Sequence, residues 1–212
     1  MFDLDGTLLD TAPDLAWALN QVRREEGLPE LPFETIRPSV SHGSAAMIRT
    51  GFGTDETDPR FEPRRRRLLE IYAANLARET RPFPGMAELL EEMERRGIRW
   101  GVVTNKPVRF TEPLLDALGL LERAAAVVSG DSLPERKPHP APILHACRTA
   151  SAEPGRCLYV GDAERDIRAG SNAGVHTLVA LFGYIAPDDN PATWGADGLA
   201  ATPADIGAWI FA

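Results

Sequence analysis

The chain has 212 residues, of which 43% are hydrophobic, 25% charged and 7% aromatic, a balance that supports a sizeable core and excludes disordered or collagen-like chains. Its 31 acidic residues against 23 basic ones leave a net charge of -8, which excludes a nucleic-acid backbone as a main partner on electrostatic grounds. No apolar window approaches the ~18 residues of a membrane span, and no basic stretch followed by an apolar run opens the chain, so the expectation is a cytoplasmic protein with no membrane partner. Cys147 and Cys157 lie in no C-x-x-C or Cys/His cluster and are expected to be two buried apolar thiols.

In chain order, Met1 and Phe2 precede an Asp-rich motif of the kind that closes a buried strand of about five residues, so either further residues lie upstream or the first strand is very short. Residues 14–26 show helical spacing, with Pro13 where a first turn accepts it. Residues 30–63 are broken by Pro32, Pro38, Gly43, Gly51, Gly53 and Pro59, with one short helical candidate at about Ser44–Arg49. A helix follows over about 63–78, and its run Arg64 to Arg67 is expected to be a solvated face. From Pro84-Gly85 onward the pattern alternates: helix 86–96 stopped by Gly97, strand Ile98–Thr104, helix 108–118, strand Ala126–Ser129, helix 140–149, strand Cys157–Val160, helix 164–173 and strand His176–Leu181. Short apolar strands alternating with helices predict an α/β core, a Rossmann-like parallel sheet with helices on both faces. The core would comprise residues 1–12 and 82–212, with residues 13–81 inserted after the first strand as an α-helical cap.

Four motifs fall at strand ends, where open α/β sheets place their ligands. Asp3-Leu4-Asp5-Gly6-Thr7 sets two carboxylates at spacing two before a glycine turn, so that one can attack while the other handles protons. Thr104-Asn105 offers a hydroxyl and an amide to an anion. Lys137-Pro138 carries one of only two lysines in the chain, the other being Lys106. Gly161-Asp162 and Asp166 present two carboxylates on one side of a helical start. Asp3, Asp5, Asp162 and Asp166 gathered at one edge would repel one another and call for a cation, and oxygen ligands suit Mg2+. Mg2+ with Lys137 would also neutralise a phosphoryl group.

These motifs in this order resemble the haloacid dehalogenase superfamily of aspartyl-phosphate hydrolases over nearly the whole chain. The resemblance implies Asp3 as nucleophile, Asp5 as general acid and base, and Thr104 and Lys137 as holders of the phosphoryl oxygens, these four forming the catalytic set. It also implies Mg2+ bound by Asp162, Asp3 and the Asp5 carbonyl, with Asp166 in support. Dehalogenases lack the second aspartate, so Asp5 argues against dehalogenation, and residues 13–81 contain no lysine for the Schiff base of the phosphonate-cleaving members. A phosphatase of small phosphorylated metabolites remains, beside a mutase resembling β-phosphoglucomutase and, remotely, an inactive relative that only binds. The stretch Phe2 to Leu15 with Val103-Thr104-Asn105-Lys106-Pro107 resembles the phosphoglycolate phosphatase group. Phe182-Gly183-Tyr184-Ile185 and Trp194-Gly195-Ala196-Asp197 resemble relatives that hydrolyse N-acetylmuramic acid 6-phosphate in cell-wall recycling. Asn105, His42, Gly43 and Arg49 are the candidates for substrate binding, the last three on the polar, glycine-bearing loop of a cap that would close over the substrate.

Overall fold

In a computed structural model describing residues 1–212, the chain divides into an α/β unit, Met1–Asp10 with Pro82–Ala212, and a helical unit, Thr11–Arg81. Two-residue strands β1 (Leu9–Asp10) and β2 (Arg81–Pro82) flank the helical unit in sequence. No helix is long and apolar enough to cross a membrane.

The α/β unit is built on a parallel sheet. Strands β3 (Val102–Val103) and β4 (Val127–Val128) pair on one side, and β5 (Leu158–Gly161), β6 (His176–Ala180) and β7 (Gly198–Ala200) pair on the other. Phe2 joins the two halves, bridging Val102 on one flank and Val160 on the other, both in parallel. Its backbone N–H donates to the Gly101 carbonyl at 2.9 Å and its carbonyl accepts from Val103 at 2.9 Å, while Asp3 N–H donates to Val160 O at 2.8 Å. The start of the chain therefore runs through the middle of the sheet, and the connections lead away from it in opposite directions. That is the point at which an open α/β sheet forms a crevice at its carboxyl edge.

Helices α5 (Met86–Arg95), α6 (Val108–Ala117), α7 (Ala141–Thr149), α8 (Glu164–Ala173) and α9 (Pro203–Phe211) complete the unit. One sheet face packs Val103, Val128 and Tyr159 against Ile143, Ala146 and Cys147 of α7 and Ala169 and Ala173 of α8. The alternate residues Val102, Val160 and Leu178 point the other way and are equally buried, so both faces are covered. Each Leu, Ile or Val so buried contributes roughly 1.5–3 kcal/mol. Gly170 lets α8 lie close on β6, since a Cβ there would overlap the Thr177 methyl.

Several expectations are corrected. The strand expected over Ile98–Thr104 is regular only at Val102–Val103, because Ile98 N–H turns back to the Met93 carbonyl at 2.8 Å and the Trp100 indole donates to Glu94 at 2.8 Å, closing α5. The elements β7 and α9 lie beyond the last predicted strand. The start of α9 is closed by Asp205, whose carboxylate accepts from Thr202 N at 2.8 Å and from its hydroxyl at 3.1 Å. Cys147 is buried but Cys157 is only half-buried; both are free, with their sulfurs 3.8 Å apart.

The helical unit comprises α1 (Ala12–Glu25), α2 (Phe33–Ile36), α3 (Gly43–Phe52) and α4 (Phe61–Ala73). Here α1 packs on α3 and α4, and Gly51 admits Leu19 where a Cβ would meet its methyl groups. Asp14, in the first turn of α1, accepts from Thr80 N at 2.9 Å and Thr80 Oγ1 at 2.7 Å, which brings the end of the unit back beside its beginning. Arg64 departs from the expected solvated face. It is 5% exposed, forks onto Glu26 at 2.6 and 2.7 Å and stacks over the Phe52 ring, because α4 turns that position toward α1 rather than outward. Arg65 and Arg67 do lie on the outside, paired with Glu62 and Glu25.

Candidate active site

The carboxyl edge of the sheet gathers the four sequence motifs. Asp3 follows the bridging residue Phe2, and its Oδ1 accepts from Leu4 N at 2.7 Å and lies 2.9 Å from Lys137 Nζ as an ion pair. The chain then turns tightly, with Leu8 N–H donating to Asp3 O at 3.2 Å and Gly6 N–H to Leu9 O at 3.0 Å. Gly6 is demanded twice over: its φ is +83°, and a Cβ would overlap the Asp162 carboxylate. Asp162 follows β5 and accepts from Tyr184 N at 2.8 Å. Asp166 lies in the first turn of α8, where its Oδ2 accepts from Ala163 N at 3.1 Å. Gly161 leaves room for it, since a Cβ there would overlap the Asp166 side chain.

Oxygens of Asp3, Asp162 and Asp166 all lie within 4.8 Å of one another, and all three side chains are buried. Lys137 meets this charge from a side chain that is 0% exposed, with its Nζ 2.7 Å from Asp166 Oδ1 and 2.9 Å from Asp3 Oδ1. It donates to the Tyr159 hydroxyl at 2.7 Å, which in turn donates to the Val103 carbonyl at 2.7 Å. The ammonium therefore faces two carboxylates as ion pairs and one hydroxyl as a hydrogen bond, and Asp166 Oδ1 is left without a hydrogen-bond donor. Burial raises the Asp166 carboxyl above its ordinary range, with Lys137 pulling the other way. Burial, then the charges of Asp166 and Asp3, push the Tyr159 phenol well above its ordinary value. The donor set is three buried carboxylates without nitrogen or sulfur, which suits a hard divalent cation, and lysine alone cannot neutralise it.

Thr104 stands at the end of β3, buried, with its Oγ1 accepting from Lys106 N at 3.1 Å, so the hydroxyl proton is available to an anion. Asn105, expected among the substrate-binding residues, uses its amide on the neighbouring loop: Nδ2 donates to Lys137 O at 3.0 Å and Oδ1 accepts from Lys137 N at 3.1 Å. Asp5 is the most open of the motif carboxylates at 18% side-chain exposure, and its Oδ1 lies 2.9 Å from Lys106 Nζ. His42, Gly43 and Arg49 belong to the helical unit, outside the cluster the α/β unit builds. His42 and Gly43 are exposed at the start of α3, and Arg49 is exposed and ion-paired with Glu56.

Two members of the site were not singled out from the sequence. Lys106 carried the same signal as Lys137, being the only other lysine of the chain, and each lysine pairs with a carboxylate of the first motif. Tyr159 carried none, standing as one more apolar residue in a strand.

Residues 1–180 match the model of a family described as haloacid dehalogenase-like hydrolase. An N-acetylmuramic acid 6-phosphate phosphatase of Pseudomonas aeruginosa is 44% identical over 206 residues, covering 97% of this chain and 91% of that protein. A phosphoglycolate phosphatase of Xanthomonas campestris pv. campestris is 41% identical over 206 residues, covering 97% of this chain and 93% of that protein. Among solved structures, a crystal structure described as a predicted phosphoglycolate phosphatase from Haemophilus somnus superposes with a TM-score of 0.85 at 31% identity, covering 98% of this chain and 95% of that one. The chain belongs to the haloacid dehalogenase-like hydrolase family. Within it, the chain is a phosphoric monoester hydrolase.

Proposed function

We propose that the protein hydrolyses a small-molecule phosphate monoester through an aspartyl-phosphate on Asp3, with Mg2+ as cofactor. The observation that carries this reading is the buried cluster of Asp3, Asp162 and Asp166 gripped by the Lys137 ammonium. Asp3 attacks phosphorus while Asp5 gives its proton to the leaving alcohol. In the second step Asp5 takes a proton from water, and that water attacks the phosphorus of the phospho-enzyme. Inorganic phosphate leaves and the Asp3 carboxylate is restored. Thr104 and Lys137 hold the phosphoryl oxygens, and Asn105 holds the Lys137 backbone that delivers the ammonium. Mg2+, held by Asp3, Asp162 and the Asp5 carbonyl with Asp166 in support, would supply the positive charge that makes the phosphoryl group electrophilic.

We read the substrate as phosphoglycolate-like. The second reading, N-acetylmuramic acid 6-phosphate, is favoured by the 44% identical Pseudomonas relative. Both compounds carry a carboxylate besides the phosphate, so both ask for a second anion-binding group. The insertion of Thr11–Arg81 between the two segments of the α/β unit supports a role for that unit as a cap that selects the substrate, with His42, Gly43 and Arg49 as its polar candidates.

The test is phosphate release with Mg2+ or with EDTA from 2-phosphoglycolate, N-acetylmuramic acid 6-phosphate, glucose phosphates and p-nitrophenyl phosphate, with Asp3→Asn as control. Metal-dependent release that vanishes in Asp3→Asn is expected, and the preferred ester selects between the two substrates. Release that survives Asp3→Asn would overturn the assignment of the nucleophile.

A further inference from the structure

Cys147 and Cys157 are the only cysteines of the chain, and the catalytic cluster uses neither. Cys147 lies near the end of α7 and is 1% exposed. Cys157, the residue before β5, is half-buried and lines a cavity of about 900 Å³ at the amino edge of the sheet, so a small reagent can reach it. The two sulfurs are 3.8 Å apart, and the Cys157 thiol donates to the Glu153 carbonyl at 3.2 Å in the segment that joins α7 to β5. A disulfide needs about 2 Å between sulfurs, and turning one thiol from a staggered position toward the next moves its sulfur by roughly 1.5–2 Å, a step of the size required. Cys147 belongs to the apolar cluster of Val128, Ile143, Ala146 and Tyr159, and Cys157 packs at its margin. An acid formed on Cys157 would set a fixed negative charge against that cluster, whereas a disulfide carries no charge.

We propose that Cys147 and Cys157 are a peroxide-reactive dithiol in which Cys157 is oxidised first and Cys147 resolves it as an intramolecular disulfide. The proposal stands apart from the phosphatase reading and does not rest on it. In the first step the Cys157 thiolate attacks one oxygen of hydrogen peroxide, the O–O bond breaks, and a sulfenic acid forms as the other oxygen leaves as water. In the second, the Cys147 sulfur attacks the Cys157 sulfur and the S–O bond breaks. The hydroxyl departs as water with the proton that Cys147 gives up. Two thiols lose two electrons in all, one peroxide becomes two waters, and a small dithiol reverses the change by exchange. The order follows from position, since Cys157 is open and Cys147 is covered. Burial, then the charge and the hydrogen bond of Cys157, push the Cys147 thiol up to about 11. At pH 8 roughly one such thiol in a thousand is ionised, yet a group held in contact acts as though present at about 100,000 M or more. Cys147 therefore outruns a second molecule of peroxide at millimolar concentration. Once Cys157 is a sulfenic acid, its thiolate charge no longer opposes ionisation of Cys147.

The experiment treats the reduced protein with hydrogen peroxide at pH 8, alkylates the remaining thiols in denaturant and reads the intact mass and the tryptic peptides. Trypsin cuts after Arg148 and Arg156, so an intramolecular disulfide appears as two linked peptides. Wild type is expected to lose both titratable thiols, to become about 2 Da lighter, to run as a single chain on a non-reducing denaturing gel, and to recover both thiols in dithiothreitol. In Cys147→Ala, Cys157 is expected to proceed to sulfinic acid, about 32 Da heavier and not recovered by dithiothreitol, in at least about tenfold greater yield than in wild type. Cys157→Ala is expected to keep its buried Cys147 as a thiol, and it is the variant read should Cys147→Ala not fold by circular dichroism. Two thiols still titratable in treated wild type would overturn the proposal. So would sulfinic acid on wild-type Cys157 at the level of Cys147→Ala, a disulfide between chains, or a Cys147 that oxidises as fast without Cys157.

Discussion

The hydroxyl of Tyr159 gives the most direct test of how the site is held together. Tyr159→Phe removes one oxygen from a residue that is 0% exposed and leaves the ring, hence the packing against α7 and α8, in place. Two hydrogen bonds of 2.7 Å disappear: one accepted from the Lys137 ammonium and one donated to the Val103 carbonyl. A bond to a charged group is worth about 1.5–3 kcal/mol and a neutral bond to a buried carbonyl about 1 kcal/mol, so the loss expected is about 2–4 kcal/mol. With a urea m-value of about 2–3 kcal/mol/M, the midpoint of unfolding should fall by about 1 M at unchanged m. Lys137 keeps Asp3 and Asp166 as partners, so the variant should retain activity while binding inorganic phosphate more weakly. A midpoint lowered by less than about 0.2 M, equivalent to about 0.5 kcal/mol at that slope, would show that the hydroxyl does not anchor Lys137 and would refute the reasoning.

Two further substitutions probe other parts of the structure. Gly6→Ala forces a side chain into a φ of +83° and against the Asp162 carboxylate, so Mg2+ affinity measured by titration calorimetry should fall about 10–100-fold, and unchanged affinity would contradict the geometry. In the helical unit, the Arg64 guanidinium holds the Glu26 carboxyl below its ordinary value of 4.5, so the pair stabilises above that pH and its contribution is lost as the pH falls through the lowered value. Melting curves of wild type and Glu26→Gln between pH 7 and 3 should therefore differ most at neutral pH and converge in acid, and a constant gap would count against the pair.

What was legible in the sequence was whatever is encoded locally. The spacing Asp3, Asp5, Gly6 and the pair Asp162 and Asp166 announced an oxygen-rich site, because a strand end and the first turn of a helix bring near neighbours in sequence together in space. The bounds of α8, Glu164–Ala173, could be read directly, since its first-turn acids and the Gly174 stop, at φ +71°, are local signals. The parallel sheet followed from the alternation of short apolar runs with helices.

What only the tertiary structure decided was which groups far apart in sequence pair. Lys106 and Asp5 are 101 residues apart, Tyr159 and Val103 are 56 apart, and Arg64 and Glu26 are 38 apart. No periodicity spans such separations. Tyr159 is read in sequence as core and becomes the hydroxyl that supports the central lysine, because the crossover from β4 to β5 carries Lys137 and ends in the strand that holds Tyr159. Arg64 is read as solvated and becomes buried, because the side of α4 that faces α1 is chosen by packing and not by the local charge pattern. Residue types and their near spacing determined the chemistry of this protein, while the long-range pairing of charges in a buried, low-dielectric edge of the sheet decided which residues serve it.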